Sequence, residues 1–451
     1  MSRRHFLALL LPLLAVITAF VALWALEQSG VRGAPAWDAG FARYVRDSIG
    51  REYVAGVGSR HDQEVAYFRA LNEYVRAFDD YGAITPPWDA DRAREASSGR
   101  YTGIGVRIEP LPDVDGPVRE VLISGVKPKG PAANAGVAVG DRIVAVDGRP
   151  IADLVPNARA VRTGGESPFQ MAIRGVEGTS VGLRLRAPDG TERDVSVIRA
   201  EVDDGSVFGA RFLDRSSGIG YVRIEGFEAS TGKDLRAALE GLAKEGLRAL
   251  VLDLRGNRGG LLDQAVAVAN LFLDGGVVVK QRGRAERFTT IHRADPKQTW
   301  NASIPLAVLV DQDSASASEV LAGALRDYRR AVLVGERTWG KFLVQLVEEV
   351  PTEAGIAIFK RTTSIYETPL GTSYQRTPAD NLDDPTAGIP PDLLVPMADA
   401  DRRTRAEIYE DEKYADWDAA HVPRVTGFLD VQIEAAKALL SGEAYCPALL
   451  P

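Results

Sequence analysis

Hydrophobic and polar positions divide the chain into stretches of different period. An almost unbroken apolar run extends from Phe6 to Leu26, with Arg3 and Arg4 ahead of it. That is about the length needed to cross a bilayer core. Positive residues before such a run keep the N-terminus cytoplasmic and send the remainder across. Trp24 and Leu26 crowd the one candidate cleavage site at Ala25, which favours an uncleaved anchor over a cleaved signal peptide for residues 1–27. Ser2-Arg-Arg-His-Phe-Leu7 reads either as a twin-arginine export signal or as plain topology charges.

After a polar linker at 28–36, apolar residues recur at three- and four-residue steps up to Val65, Phe68, Leu71, Val75 and Phe78. This spacing predicts a helical segment over 36–100, ending in a loop at 79–100 rich in Asp, Pro, Gly and Ser. From Tyr101 the period changes to two. Strands are expected at Gly103–Ile108, Val118–Val126, Gly140–Val146, Val181–Arg186 and Glu192–Arg199. A short helix at Pro131–Gly136 stops at its glycine, and Asp147-Gly148 signals a hairpin. The order of these elements, above all G-P-A-A-N-A-G-V-A-V-G-D-R-I-V-A-V-D-G, resembles a PDZ domain over 101–200. The resemblance implies a groove that holds an extended peptide as an added strand. Backbone N–H groups of Gly103, Ile104, Gly105 and Val106 would then cap the peptide's C-terminal carboxylate. The alternative is a β-rich spacer without a ligand.

Beyond Gly218 strands and helices alternate. Ile219–Ile224, Ala249–Leu254 and Leu306–Val310 read as buried strands, Lys233–Glu245 and Leu262–Leu273 as helices. Such alternation argues for a mixed α/β core over 201–396. Leu343–Val350, Ile356–Lys360 and Thr362–Tyr366 read as further strands. The charged helical stretch at 397–451 is expected on the outside of that core.

Charge and composition narrow the functions. A net charge of −8 argues against nucleic acid as the main partner. Cys446 is the sole cysteine, which excludes intramolecular disulfides and cysteine metal clusters. His5, His61, His292 and His421 show no ligand spacing, and no metal or other cofactor is expected.

Chemistry concentrates between Asp311 and Gln345. Ser314-Ala-Ser-Ala-Ser-Glu319 lies between a buried strand and an amphipathic helix. A serine there reads as a helix cap, or as a nucleophile beside free N–H groups that stabilise an oxyanion. Lys341 sits among Trp339, Phe342, Leu343 and Val344. Burial would lower its pKa and make it a base for a serine, whereas a lysine after glycine is otherwise an ordinary turn residue. Gly335 to Lys341 fits the opening of a phosphate-binding loop, but Phe342 replaces the required Ser or Thr and a strand pattern follows. Gly178-Thr-Ser-Val-Gly182 fits a nucleophile-elbow string yet leads into a strand, so Ser180 is read as structural.

As a set, V-L-D-L-R-G-N-R-G-G-L-L-D-Q-A-V at 251–266, S-A-S-A-S-E at 314–319, V-G-E-R-T-W-G-K-F-L-V-Q at 334–345, Y-E-T-P-L-G-T-S-Y-Q at 366–375 and G-I-P-P-D at 388–392 resemble the C-terminal processing peptidases. These tail-specific proteases are Ser-Lys endopeptidases with an inserted PDZ domain. The resemblance implies Ser316 as nucleophile, Lys341 as general base and Gln345 as the residue that orients it. It also implies an oxyanion hole from Ala317 N–H with Gly259 or Gly260, and Arg174 as a sensor of bound peptide. Lys341 and Gln345 are expected on one strand with their side chains to one side. Trp339 stands where the family has Phe, Phe342 where it has Gly, Arg258 where it often has Pro, and the connection at 153–168 is longer. The expectation is thus an envelope serine endopeptidase in a bacterial inner membrane, catalytic part in the periplasm or, after signal cleavage, free there. It would cut proteins near unstructured C-terminal tails, as a homo-oligomer or with an adaptor. The alternative is a peptide-binding scaffold of the same fold that has lost catalysis.

Overall fold

Apolar runs without a two-residue alternation become strands covered on both faces. The computed structural model describes residues 58–90, 93–94, 100–109, 116–156, 168–377, 384–414 and 425–442. Its central sheet runs in chain order: β1 (Val207–Asp214), β2 (Ile219–Ile224), β3 (Ala249–Asp253), β4 (Leu306–Val310), β5 (Val332–Gly335) and β6 (Leu393–Leu394). The first pair is antiparallel and all others are parallel. Crossover helices α1 (Thr231–Lys244), α2 (Leu262–Phe272) and α3 (Ala317–Asp327) follow β2, β3 and β4. Leu250, Leu252, Val308 and Val310 pack with Leu235, Val268 and Leu321 of these helices. The intervening Val251, Ala307 and Leu309 pack on the other face with Ala435 and Ala436 of a C-terminal helix.

That helix, α5 (Val431–Ser441), and α4 (Asp399–Tyr414) form the C-terminal helical stretch. Gln432 is fully buried, and Arg405 is 6% exposed. The C-terminal helices cover one face of the sheet, and a few of their polar side chains are buried against it.

A second, antiparallel sheet follows the segment that carries Lys341. Its hairpin, Leu343–Thr352 with Gly355–Glu367, is extended by Val277–Gly283, Thr290–Arg293 and Ala83–Thr85. The expected loop at 79–100 therefore contains a strand, paired with Ile358–Lys360. Three residues are too few for a readable period. Ile356–Lys360 and Thr362–Tyr366 form one continuous strand.

The β-rich unit pairs Val106–Ile108, Val121–Val126, Arg142–Val146, Ser180–Arg186 and Glu192–Ile198 around its own core of Ile123, Ile143, Phe169 and Leu183. Asp147 and Gly148 have φ of 48° and 76°, the hairpin geometry that Asp-Gly announces. Arg100–Gly103 pairs antiparallel with Ala200–Asp203, so the two connections of the insertion run side by side as a neck. A helix at Pro168–Ile173, absent from the sequence reading, forms one wall of a groove. Among the described residues no helix is long and apolar enough to cross a membrane. The apolar run 6–26, the linker 28–36, the helical pattern before residue 58, most of the 153–168 connection and Cys446 lie outside the described residues.

Candidate active site

Parallel strands β3 and β4 end side by side, and the turns that follow them, 254–260 and 311–316, build the site. Ligand sites of open α/β sheets lie at such strand ends. The three serines separate by their partners. Ser314 and Ser318 are fully buried, and their hydroxyls donate to Leu254 O and Asn257 O, each at 2.8 Å. Both tie the second turn to the first. Ser316 is partly exposed, and among the described residues its hydroxyl donates to no framework carbonyl. Its φ of 58° and ψ of −116° lie in a region that side chains rarely occupy. Bonds on both sides hold this strain in place, with Ala315 N–H on Asn257 O at 3.0 Å and Val320 N–H on Ser316 O at 3.0 Å. The serine sits at the N-terminus of α3, where the N–H of Ala317 has no partner within the helix.

Gly259 lies against this turn. At its φ of 103° an added Cβ would come within 2.8 Å of Ser316 Cβ and 3.0 Å of Ala317 N. Only glycine allows that approach. Its N–H donates to Asn257 Oδ1 at 2.8 Å. Gly260 is held by Phe227, whose carbonyl an added Cβ would meet at 2.3 Å.

The segment 336–342, which holds Lys341, is a coil, and the strand begins only at Leu343. Lys341 therefore precedes the strand that carries Gln345, and a register shift intervenes between Val344 and Gln345. The expected one-sided alternation does not apply. Among the described residues no hydrogen bond joins Lys341 Nζ to Ser316 or Gln345. The ammonium lies 5.1 Å from the centre of the Tyr81 ring, while Gln345 Nε2 donates to Thr362 Oγ1 at 3.3 Å. Thr362 in turn donates both N–H (2.6 Å) and Oγ1 (2.8 Å) to Asp79. Burial, followed by the charge of Lys360, lowers the Lys341 pKa below its ordinary value; Glu319 and Asp79 act in the opposite direction.

Phe342 follows Lys341 directly. It is 1% exposed in the main core, its ring 5.6 Å from Tyr374. Its φ is not positive, so the position makes no demand for glycine; the left-handed residue is Gly340, at 92°. The later motif segments brace the same loop. Gln375 Oε1 accepts Phe342 N–H at 2.8 Å, Arg376 Nε donates to Trp339 O at 2.9 Å, and Ile389 N–H donates to Thr338 Oγ1 at 2.7 Å. As expected from the strand pattern, no helix follows the Gly335–Lys341 string, and Ser180 opens a strand.

Two further groups escaped the sequence reading. Glu319 is fully buried and accepts from Ser316 N–H, Lys341 N–H (2.8 Å each), Gly340 N–H (2.7 Å) and Thr338 Oγ1 (2.5 Å). Asp311, also fully buried, accepts Gly256 N–H at 2.9 Å and Ser314 N–H at 3.2 Å, and pairs with Arg405 of α4 at 2.6 Å. Arg255, at the head of the glycine turn, bonds Asp253 at 2.6 Å and Asp430 at 2.9 Å. The site is thereby wired to both C-terminal helices.

A cavity of about 390 Å³ in the PDZ-like unit is lined by Gly103, Ile104, Gly105, Val106, Phe169 and Arg174 among others. Gly105 has a φ of 70°, and Ile104 O accepts Ala132 N–H at 2.8 Å, which shapes the loop at the groove's end. Arg174 stacks 4.8 Å from the centre of the Tyr101 ring, next to the neck, and Asp204 and Glu410 line the same cavity. Arg199 caps the groove helix, donating to Ile173 O at 2.9 Å and Ala172 O at 2.8 Å.

The profile of peptidase family S41 matches residues 218–395 and a PDZ-domain profile matches 122–183. A carboxyl-terminal-processing protease of Picosynechococcus is 35% identical over 73% of each chain. A carboxy-terminal-processing protease of Bartonella bacilliformis is 32% identical over 86% of each. A solved photosystem II D1 C-terminal processing protease is 28% identical, covering 79% of this chain and 86% of its own, with a TM-score of 0.42. With relatives this similar over most of both chains, the protein belongs to peptidase family S41, as a serine-type carboxyl-terminal-processing endopeptidase with a PDZ domain.

Proposed function

We propose that Ser316 is the nucleophile and Lys341 the general base of this protease. Ser316 Oγ attacks the scissile carbonyl carbon while neutral Lys341 Nζ takes the hydroxyl proton. The tetrahedral intermediate then collapses, the C–N bond breaks, and the Lys341 ammonium returns its proton to the leaving amine. Water repeats the sequence on the acyl-enzyme and frees Ser316. Ala317 N–H and a glycine of the Gly259-Gly260 turn receive the oxyanion. Gly259 N–H reaches it by leaving Asn257 Oδ1. The observation that carries the reading is the strained Ser316 turn, whose two neighbouring serines are both engaged in the framework.

In the arrangement described, Lys341 rests on Tyr81, and Gln345 is held by Thr362. Catalysis requires a shift that brings Lys341 Nζ to Ser316 and Gln345 to Lys341; bonds of this kind often tighten only with substrate bound. The unstructured C-terminal tail of a protein substrate enters the groove, with its carboxylate at Gly103–Val106 and Arg174 reporting its presence. With residues 6–26 as a membrane anchor, the substrates are proteins of a bacterial cell envelope.

A pair of substrates tests this reading: one protein with an unstructured C-terminal tail, and the same protein with that tail closed by a folded domain. The tailed form should be cut by the wild type and not by S316A. Equal cutting of the two forms would contradict tail capture.

A further inference from the structure

We propose that Glu319 is a positioning residue that fixes the nucleophile turn and the base segment to each other and sets a negative charge beside the base. The inference rests on the Ser316–Lys341 reading above. A serine followed three residues later by glutamate is a common helix-start pattern, and capping accounts for the bond from Ser316 N–H. It does not account for the other three donors. Thr338 Oγ1, Gly340 N–H and Lys341 N–H all come from the base segment, 19 to 22 residues further along the chain.

The division of labour is specific. Oε2 takes Ser316 N–H and Lys341 N–H, so a single oxygen bridges the two reacting residues. Oε1 takes Gly340 N–H and Thr338 Oγ1, and Thr338 is itself locked to Ile389. A buried carboxylate with four donors is satisfied as an anion, whereas a neutral acid would set a proton against one of them. Desolvation still raises the Glu319 pKa, and the four bonds oppose that rise. The same charge raises the Lys341 pKa against the lowering by burial and by Lys360; Asp79 also raises it, and Tyr81 covers the ammonium. Glu319 thus trades some basicity range for geometry. A capping glutamate alone would have no reason to touch the base.

Two variants separate charge from geometry. E319Q keeps the size but turns an amide NH₂ toward two of the four donors and removes the charge. Its acid limb for hydrolysis of the tailed substrate should move to lower pH, with a lower plateau. E319D keeps the charge but is one methylene too short to span both segments. Its limb should stay near the wild-type position while the plateau falls about 100-fold, the scale of a 1 Å misplacement. An E319Q limb in the wild-type position, or an E319D plateau at the wild-type level, would overturn the proposal. The E319D arm decides by itself if E319Q does not fold, as read by thermal melting. Wild type that is never acylated at Ser316 would instead remove the Ser–Lys reading. Unaltered Glu319 variants of an acylated enzyme remove only the role of Glu319.

Discussion

Hydrolysis should rise with pH, because only the neutral amine of Lys341 can take the Ser316 proton. Burial and the neighbouring Lys360 lower its pKa from 10.5, so the rise should level off below the pH at which an ordinary lysine would do so. Activity is then lost as pH falls through the lowered value. Initial rates on a tailed substrate between about pH 5 and 10 check this, and a flat profile would contradict a lysine base. At this scale the residues proposed to react stand in readable motifs, and their supports do not. Ser316 and Lys341 stand in recognisable strings. Glu319 is part of one such string, but its partners are backbone N–H groups, which leave no mark in a sequence. Asp79, Tyr81 and Thr362 meet Lys341 and Gln345 from remote parts of the chain. Phe342 looked like a threat to the base loop because a glycine was expected there. Its ordinary φ and buried ring show that Gly340 carries the bend instead.

Among the elements, those with a strong period were read correctly. Ala249–Leu252 and Leu306–Val310 are continuous apolar runs, buried on both faces. Val207–Asp214 was missed because Gly209, at a φ of 65°, breaks its alternation with a bulge. Val277–Gly283 and Thr290–Arg293 carry Lys, Gln, Arg and His, which blur an apolar alternation, and Thr290–Arg293 is mostly exposed. The C-terminal helices were assigned to the exterior because α4 is densely charged, yet part of that charge is what docks it. Arg405 pairs with Asp311, and Tyr409 Oη donates to Asp253 at 2.5 Å. R405M leaves the buried Asp311 without its cation and should cost about 3–5 kcal/mol in denaturant unfolding. Because Asp311 also holds Gly256 N–H and Ser314 N–H, acylation at Ser316 should slow in the same variant. Unfolding and acylation both at wild-type values would show that the helix does not support the site.

Over the whole molecule, the PDZ domain joins the protease core through the paired strands Arg100–Gly103 and Ala200–Asp203. Carboxylates gather on the core side of this neck. Burial, with Asp203, pushes Glu228 up to about 7, and among the described residues its Oε2 is buried without a hydrogen bond. A raised carboxyl pKa favours the protonated form in the fold. The stability it contributes is complete below its unfolded value and is lost as pH rises toward 7. E228Q, which mimics the protonated acid, should therefore melt higher than wild type at pH 7, with the gap closing below about pH 4.5. An equal gap at both pH values would show that Glu228 is not the titrating group. The division into a PDZ-like unit and an α/β core was visible in the change of hydrophobic period at Tyr101 and Gly218. The neck was not, because four-residue strands paired across about 100 residues have no local signature.

The central claim is that Ser316, activated by Lys341, is the acylated residue. Intact-mass and peptide-mass analysis after treatment with a serine-reactive phosphonate, with tail peptide present, tests it most directly. One adduct is predicted, on the peptide bearing Ser316. It should form faster as pH rises, disappear in S316A and form far more slowly in K341M. A wild type that stays unmodified, or an S316A variant labelled as fast as the wild type, would contradict the account.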